Sequence, residues 1–326
     1  MPEQAPVGRL APSPTGALHL GNVRTFMAAW LSIRSRGGRV ILRIEDLDHP
    51  KVKPNAAEQT LEDLRWLGFD WDEGPDIGGP NGPYVQSLRH DLYRDRLRDL
   101  AGRGLAYPCV CTRSEIERCL SAPHEGETLR YGGRCRDRFA SYADALAASG
   151  GRQPAWRFRL PDVPAPVVSF SDGFAGPFSQ DVAAYSGDFP IARGDCAGYA
   201  LAVVIDDAAM GVTEIVRGDD LLAATPAQII LHRAFGLPLP LYCHVPLVVG
   251  PDGRRLAKRH GDTRISSFRA SGVAPEKIIG LLAASCGWLP APASATLRSL
   301  IPRFSFAAIP HRPVVFGSLD SFTYLQ

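Results

Sequence analysis

Residues 7–11 form a short apolar run, and residues 12–21 a stretch of Pro, Thr and Gly with one histidine. Beyond it, Val23, Phe26, Met27, Trp30 and Leu31 recur at helical spacing. The pattern predicts a strand at 7–11 and a helix at 22–36 that stops at Gly37-Gly38. Val40, Leu42 and Ile44 recur at every second position and share one face, which predicts a strand over 39–44 running into the acidic cluster Glu45, Asp46 and Asp48. Asn55 followed by Glu58 predicts a capped helix to about Gly68. A Gly- and Pro-rich loop follows, then a helix over 87–102 burying Leu88, Leu92, Leu97 and Leu100.

After Tyr107 the periodicity fades until about Arg152, while cysteines and basic residues crowd together. Short alternating runs over 156–170, broken by prolines, predict an antiparallel piece. Residues 199–207 (YALAVVIDD) predict a buried strand, and 212–217 another. Thr225, Pro226 and Gln228 predict a capped helix start. An apolar strand is expected over 241–249, ending in the basic loop GPDGRRLAKRHG, and a helix over 274–286. Strand–helix units at both ends of the first 260 or so residues imply an α/β fold whose parallel sheet is split by an insertion. The expected division is 1–103 and 191–262 for the two halves of a nucleotide-binding domain, 104–190 for the insertion, and 263–326 for a short helical tail.

The chain has 326 residues, 45% hydrophobic and 21% charged, as in an ordinary folded protein. No apolar run approaches the length of a membrane span, and the N-terminus lacks a basic segment followed by an apolar one. A cytoplasmic location and no membrane partner are therefore expected. The net charge of +2 leaves room for a local basic face toward nucleic acid. Seven cysteines in a chain of this kind favour free thiols or a metal site over a disulfide framework.

Four constellations carry chemistry. The first is Pro12 to Gly21, with Gly16 and His19, between a strand and a helix N-terminus. Backbone N–H groups and the helix dipole favour phosphate there, and His19 is placed to donate to it. The second is the basic loop, whose Lys258 would meet developing negative charge. The third is Arg9, Glu45, Tyr199 and Arg217, near the expected C-terminal strand edge. Two arginines and one carboxylate suit a small zwitterion with an extra carboxylate. The fourth is Cys109, Cys111 and Cys135, three thiols fit for structural zinc, with Cys119, His124 and Tyr131 all open as a fourth ligand.

As a set these motifs resemble the class I aminoacyl-tRNA synthetases, and more narrowly the catalytic half of the glutamyl-tRNA synthetases. Residues 9–24, RLAPSPTGALHLGNVR, are similar to that family's opening signature. His19 keeps the first histidine of its His-x-Gly-His element, and Asn22 replaces the second. Residues 43–48, RIEDLD, also match, and Leu256-Ala257-Lys258-Arg259 stands at the Lys-Met-Ser-Lys loop, with Arg255 at its first lysine. The sequence ends about sixty residues after that loop, too few for the long anticodon-binding region of the family. Tyr131 to Cys135, YGGRC, resembles the zinc site of a truncated paralogous family that attaches glutamate to the queuosine of tRNA(Asp).

The resemblance implies a Rossmann-like class I synthetase catalytic domain with a zinc-binding insertion. It implies L-glutamate held by Arg9, Leu10, Ala11, Pro12, Ser13, Glu45, Tyr199 and Arg217, with Val203 at a place where the full-length enzymes carry a polar residue. ATP with Mg²⁺ would lie on Pro12, Gly16, His19, Gly21, Asn22 and Lys258, of which His19 and Lys258 are the catalytic pair. One zinc would be held by Cys109, Cys111, Tyr131 and Cys135. The acceptor implied is the anticodon loop of tRNA(Asp) bearing queuosine; the alternative is charging of the tRNA 3′ end. Arginines of the insertion, among them Arg113, Arg118, Arg130, Arg134 and Arg136, would contact the RNA.

Overall fold

A computed structural model describes residues 5–47, 52–118, 130–162, 166–254, 256 and 263–316. The chain opens with strand β1 (Val7–Leu10), helix α1 (Leu20–Arg34), strand β2 (Arg39–Leu42), α2 (Ala56–Trp66) and α3 (His90–Gly102). The middle brings β3 (Ala106–Cys109), α4 (Arg113–Arg118), α5 (Tyr142–Ala148), β4 (Ala155–Phe158), β5 (Val167–Asp172), β6 (Gly176–Asp181), α6 (Val182–Tyr185), β7 (Pro190–Arg193) and β8 (Cys196–Ala197). Then come α7 (Tyr199–Ala209), β9 (Glu214–Gly218), α8 (Thr225–Phe235), β10 (Leu241–Val245) and β11 (Val248–Val249). The chain closes with α9 (Ile265–Ala270), α10 (Pro275–Ser285), α11 (Leu297–Leu300) and β12 (Val314–Val315).

The first sheet runs β10-β9-β1-β2, parallel throughout. Its strands come from both ends of the sequence, as a split α/β domain requires. Helix α1 lies so close on β1 that a Cβ on Gly8 would meet Ile33 at 2.4 Å. The chain reverses direction between β1 and β9, and the crevice beyond the C-terminal strand ends at such a switch point is where ligands bind. A second, antiparallel sheet runs β3-β4-β7-β8, and β5 and β6 form a separate hairpin. One apolar cluster packs α1 with the sheet and with α10 and α11, and a second packs α3, α7 and α8 on the other side. Among the described residues no helix is long and apolar enough to cross a membrane.

Several local expectations are overturned. Residues 199–207 are not a strand but belong to helix α7. Leu201 to Asp207 are all buried, so the run is apolar on every side and its period cannot separate a buried strand from a buried helix. Its alanines and its 11-residue length favour the helix. The capping box at Asn55 does not form. That residue adopts φ 57°, whereas an N-cap that accepts from its own helix has extended backbone. Thr225 lies inside α8 rather than at its cap, and Gln228 is spent on Arg217. The strand over 241–249 is broken at Pro246 into β10 and β11, which join different sheets. Leu88 is 68% exposed, and Tyr93 takes a core place beside Leu97 and Leu100.

Candidate active site

The loop after β1 delivers Pro12 to His19 to the switch-point crevice, and α1 starts there. His19 is the N-cap of α1 in extended conformation, which turns its ring back over the first turn. Its Nδ1 accepts from the backbone N–H groups of Gly21 (3.1 Å) and Asn22 (3.4 Å), while Asn22 Oδ1 accepts from the His19 N–H (3.2 Å). The reciprocal pair closes a capping box built on histidine. With Nδ1 an acceptor, the proton of the neutral ring is on Nε2, which faces away from the cap. Burial lowers the pKa of His19 and keeps the ring neutral. A Cβ on Gly21 would meet that ring at 3.1 Å, so a side chain there would crowd it.

A cavity of about 380 Å³ opens at this point, the size of a small-ligand site. Pro12, Ser13, Gly16, His19, Gly21 and Asn22 line one side, and Arg217, Gly218, Asp220 and Leu256 the other. Lys258 and Arg255 lie outside the described residues.

Beneath the cavity the charges are buried and interlocked. Arg217, at the end of β9, is 4% exposed. Its Nε donates to His244 Nε2 (3.0 Å), and its Nη2 to Thr225 Oγ1 (2.9 Å) and Gln228 Oε1 (2.7 Å). Among the described residues Nη1 meets only Tyr199 Oη, at 3.5 Å, and that end of the fork faces the cavity that Arg217 lines. Tyr199 opens α7 and is 42% exposed; Val203, one turn on, is buried. Tyr199 and Arg217 thus approach each other from a helix and a strand, not from the two strands that the sequence pattern predicts.

Arg9 sits on β1, buried, with Nη1 donating to the Val216 carbonyl (3.1 Å) and Nε 3.7 Å from Asp207. Its Nε has no hydrogen-bond partner among the described residues. Burial lowers its pKa, opposed by Asp207. Glu45 accepts from Arg43 Nη2 (2.9 Å), whose Nη1 reaches Asp207 (2.8 Å). Burial raises the pKa of Glu45, partly offset by Arg43. A ligand ammonium beside Glu45 would favour its ionised form further. Leu10 is a core side chain whose carbonyl is taken by the Arg43 N–H, and Pro12 accepts from the Glu45 N–H. The loop is thus clipped to β2 just where the two charges face each other.

Sequence reasoning missed Arg43, Asp207, Thr225, Gln228 and His244. Two signals were available: the acid pair Asp206-Asp207 closes an apolar run, and His244 interrupts the apolar LYCHV. A charge at a buried position of an element calls for a partner.

At the end of β3, Cys109, Cys111 and Cys135 bring their sulfurs within 4.8 Å of one another. These three residues form a possible metal site. Cys111 and Cys135 lie 3.6 Å apart, near the ~3.8 Å edge of a tetrahedron of sulfurs bonded to zinc. Tyr131 Oη lies 3.4 Å from Cys109 Sγ and accepts the Cys135 N–H at 2.7 Å. The Arg157 guanidinium stacks on the Tyr131 ring, its carbon 3.8 Å from the centroid. Hydrogen bonding from Cys109 holds Cys135 well below the usual thiol range, helped by Tyr131. The donor set of three thiols and a phenol fits a soft, tetrahedral cation. Cys119 and His124 lie outside the described residues. Of the arginines expected to face RNA, Arg130 and Arg134 are exposed, but Arg136 is held by Asp188 and Asp162 and by the Leu160 carbonyl. Arg113 is also exposed, and the Arg118 side chain is outside the described residues.

The family described as tRNA synthetases class I (E and Q), catalytic domain, matches residues 7–301. A protein of Symbiobacterium thermophilum named Glutamyl-Q tRNA(Asp) synthetase is 50% identical over 310 residues, 94% of each chain. Its namesake in Nitratidesulfovibrio vulgaris is 47% identical over 310 residues, again 94% of each. A glutamate–tRNA ligase, also of Symbiobacterium thermophilum, is 39% identical over 315 residues, which are 94% of this chain and 64% of that one. Among solved structures, a glutamate tRNA ligase from Elizabethkingia meningosepticum in complex with its amino acid superposes with a TM-score of 0.82. It is 28% identical, over 98% of this chain and 69% of that one.

Proposed function

The chain belongs to the class I tRNA synthetase (E and Q) catalytic-domain family, and from that premise we propose that it activates glutamate with ATP and transfers it to the queuosine in the anticodon of tRNA(Asp). The observation that carries the acceptor is a contrast within one organism. The chain is 50% identical to the Glutamyl-Q tRNA(Asp) synthetase of Symbiobacterium thermophilum and 39% identical to the glutamate–tRNA ligase of that same organism.

In the first step the α-carboxylate of glutamate attacks the α-phosphorus of ATP. The bond to the β,γ-diphosphate breaks, leaving glutamyl-adenylate and pyrophosphate. No tRNA is needed. Arg217 Nη1 takes the side-chain carboxylate, Glu45 the ammonium, and Arg9 with the backbone of Leu10 to Ser13 orients the reacting end. Nε2–H of His19 donates to a phosphate oxygen, and Lys258 meets charge developing on the phosphates. Gly16, Gly21 and Asn22 let the backbone approach the nucleotide. ATP enters with Mg²⁺, which neutralises charge on its phosphates. In the second step a hydroxyl of queuosine takes the glutamyl group from the adenylate, and AMP leaves.

On this reading residues 104–190 are an insertion between the halves 1–103 and 191–262, with 263–326 as the tail. Cys109, Cys111, Cys135 and Tyr131 would hold one zinc, which would tie β3 to the segment before α5. Arg113, Arg130 and Arg134 stand at the surface of the insertion, where their charge would attract phosphates of the RNA. The substrates imply the cytoplasm.

The test is transfer of labelled glutamate to an anticodon stem-loop carrying queuosine or guanosine, and to intact tRNA. We expect label on the queuosine loop alone, weakening as salt rises. Equal labelling of both loops would refute the queuosine assignment. Labelling only of intact tRNA at its 3′ end would establish ordinary charging instead.

A further inference from the structure

Of the five N–H groups on the Arg217 guanidinium, three are held at 2.7–3.0 Å by buried protein acceptors, one of them a histidine, and a fourth, on Nη1, reaches Tyr199 Oη only at 3.5 Å. His244 Nε2 lies 3.1 Å from Thr225 Oγ1 and takes the Arg217 Nε–H at 3.0 Å; as an acceptor from a guanidinium it is unprotonated, and the proton of the neutral ring is on Nδ1. Nδ1 lies 2.5 Å from Asp172 Oδ2. The other oxygen of Asp172 accepts the backbone N–H groups of Phe174 (2.9 Å), Ala175 (2.8 Å) and His244 itself (3.0 Å). Asp172, His244 and Arg217 are all at least 96% buried. Burial pushes the Asp172 carboxyl up, but the hydrogen bonds from His244 and the backbone outweigh it and hold it below the usual range. The chain of contacts therefore runs from an ionised acid, through a histidine of defined tautomer, to the cavity arginine.

Asp172 does not belong to the sheet that carries the site. It ends β5 in the hairpin between residues 167 and 181, which is pressed on β10: Gly173 N–H donates to the Tyr242 carbonyl at 2.7 Å. A second observation concerns the same group of residues. Arg217 lines the cavity, and Gln228 Nε2 and Tyr242 Oη, both on residues more than nine-tenths buried around Arg217, have no hydrogen-bond partner among the described residues. A lone arginine on a strand end could swing between acceptors. Here Nε and Nη2 are pinned, and Nη1 alone is presented.

We propose that Asp172 and His244 are positioning residues for amino-acid selection: the hairpin carboxylate sets the tautomer of His244, and His244 sets the plane of Arg217. This deepens the reading above and rests on glutamate being the amino acid. Neither residue touches substrate. An Asn at 172 keeps the backbone acceptor but turns an N–H toward His244 Nδ1. The ring then carries its proton on Nε2 and opposes the Arg217 Nε–H.

The experiment uses the full chain in glutamate-dependent ATP–pyrophosphate exchange. For Asp172→Asn we expect the glutamate KM to rise on the order of 10–100-fold, the range that outer partners of a ligating side chain command elsewhere. The kcat and the KM for ATP should stay within a fewfold. His244→Gln offers an oxygen where Nε2 lies and should retain more glutamate affinity than His244→Asn, which can still face Asp172 but falls short of Arg217. A role confined to stability would lower melting temperature and activity alike in both His244 variants. An unchanged glutamate KM in Asp172→Asn, or equal loss in the two His244 variants, would overturn the proposal. Nitrogen-15 spectra of the wild-type histidines check the relay without any variant: a protonated His244 Nε2 also overturns it. A wild-type protein inert toward glutamate sinks the functional reading instead, and the spectra still decide the relay.

Discussion

The two ends of the cavity are built on opposite plans. At the amino-acid end Arg9, Arg43, Glu45, Asp207 and Arg217 are buried side chains; Glu45 is held by Arg43, and the other four reach across to another element by charge-assisted hydrogen bonds. At the phosphate end Gly16 and His19 are partly exposed, and the donors are a loop backbone, a helix N-terminus and one neutral ring. The difference follows from the ligands. A carboxylate and an ammonium must be told from near relatives, so fixed forks in a low-dielectric floor suit them. A triphosphate must be accepted, shifted and released, so backbone dipoles and a loop suffice.

The sharpest way to break this contrast is Arg217→Ala. It leaves a ligand carboxylate unpaired, and glutamate binding should weaken by about 2–5 kcal/mol. The KM for ATP should hold; if both constants rise together, the ends are not separate. Lys258→Ala works from the other side. The rate of adenylate formation should fall about 10²–10³-fold, the scale of one lost transition-state donor, with the glutamate KM steady. Single-turnover measurement of adenylate reads it, and a wild-type rate would remove the lysine from the mechanism.

His19 can be dissected more finely, because it performs two tasks with its two nitrogens. His19→Ala should cost about 1 kcal/mol of stability from the lost cap and about tenfold or more in exchange rate from the lost phosphate donor. His19→Ser restores the cap and not the donor. We expect the melting temperature to recover while the exchange rate does not. The smallest effect on either end belongs to the metal. Freshly purified protein should hold about one zinc per chain by elemental analysis. Cys111→Ser should speed amide exchange in β3 and β4 and leave both KM values near wild type. A shift in either would mean that the cysteine cluster reaches the cavity.

How much of this was legible beforehand depends on the kind of residue. Strand–loop–helix at 7–36 could be read because period, glycine and cap agree at each level. The candidate ligands Arg9, Glu45 and Arg217 could be read because they stand at element ends. What could not be read is the scaffolding behind them. His244 and Asp172 are 72 residues apart and in different sheets, and no local pattern pairs them. Helix α7 was misread for a related reason: a run that is buried on all sides leaves no period to measure. Thr225 and Gln228 carried a sound helix-start signature and were diverted by Arg217, a partner met only in three dimensions.

A Cβ on Gly173 would meet Cys243 Sγ at 2.5 Å, so the hairpin tip fits against β10 only with glycine there. This bears on modularity. A graft that exchanges residues 104–190 for the insertion of a relative would transplant more than a surface. It would carry away Asp172 and test whether the donor brings both an acid for His244 and a small residue after it. Chimeras cut before the hairpin, leaving residues 167–181 native, should therefore keep their amino-acid affinity where whole-insertion swaps lose it.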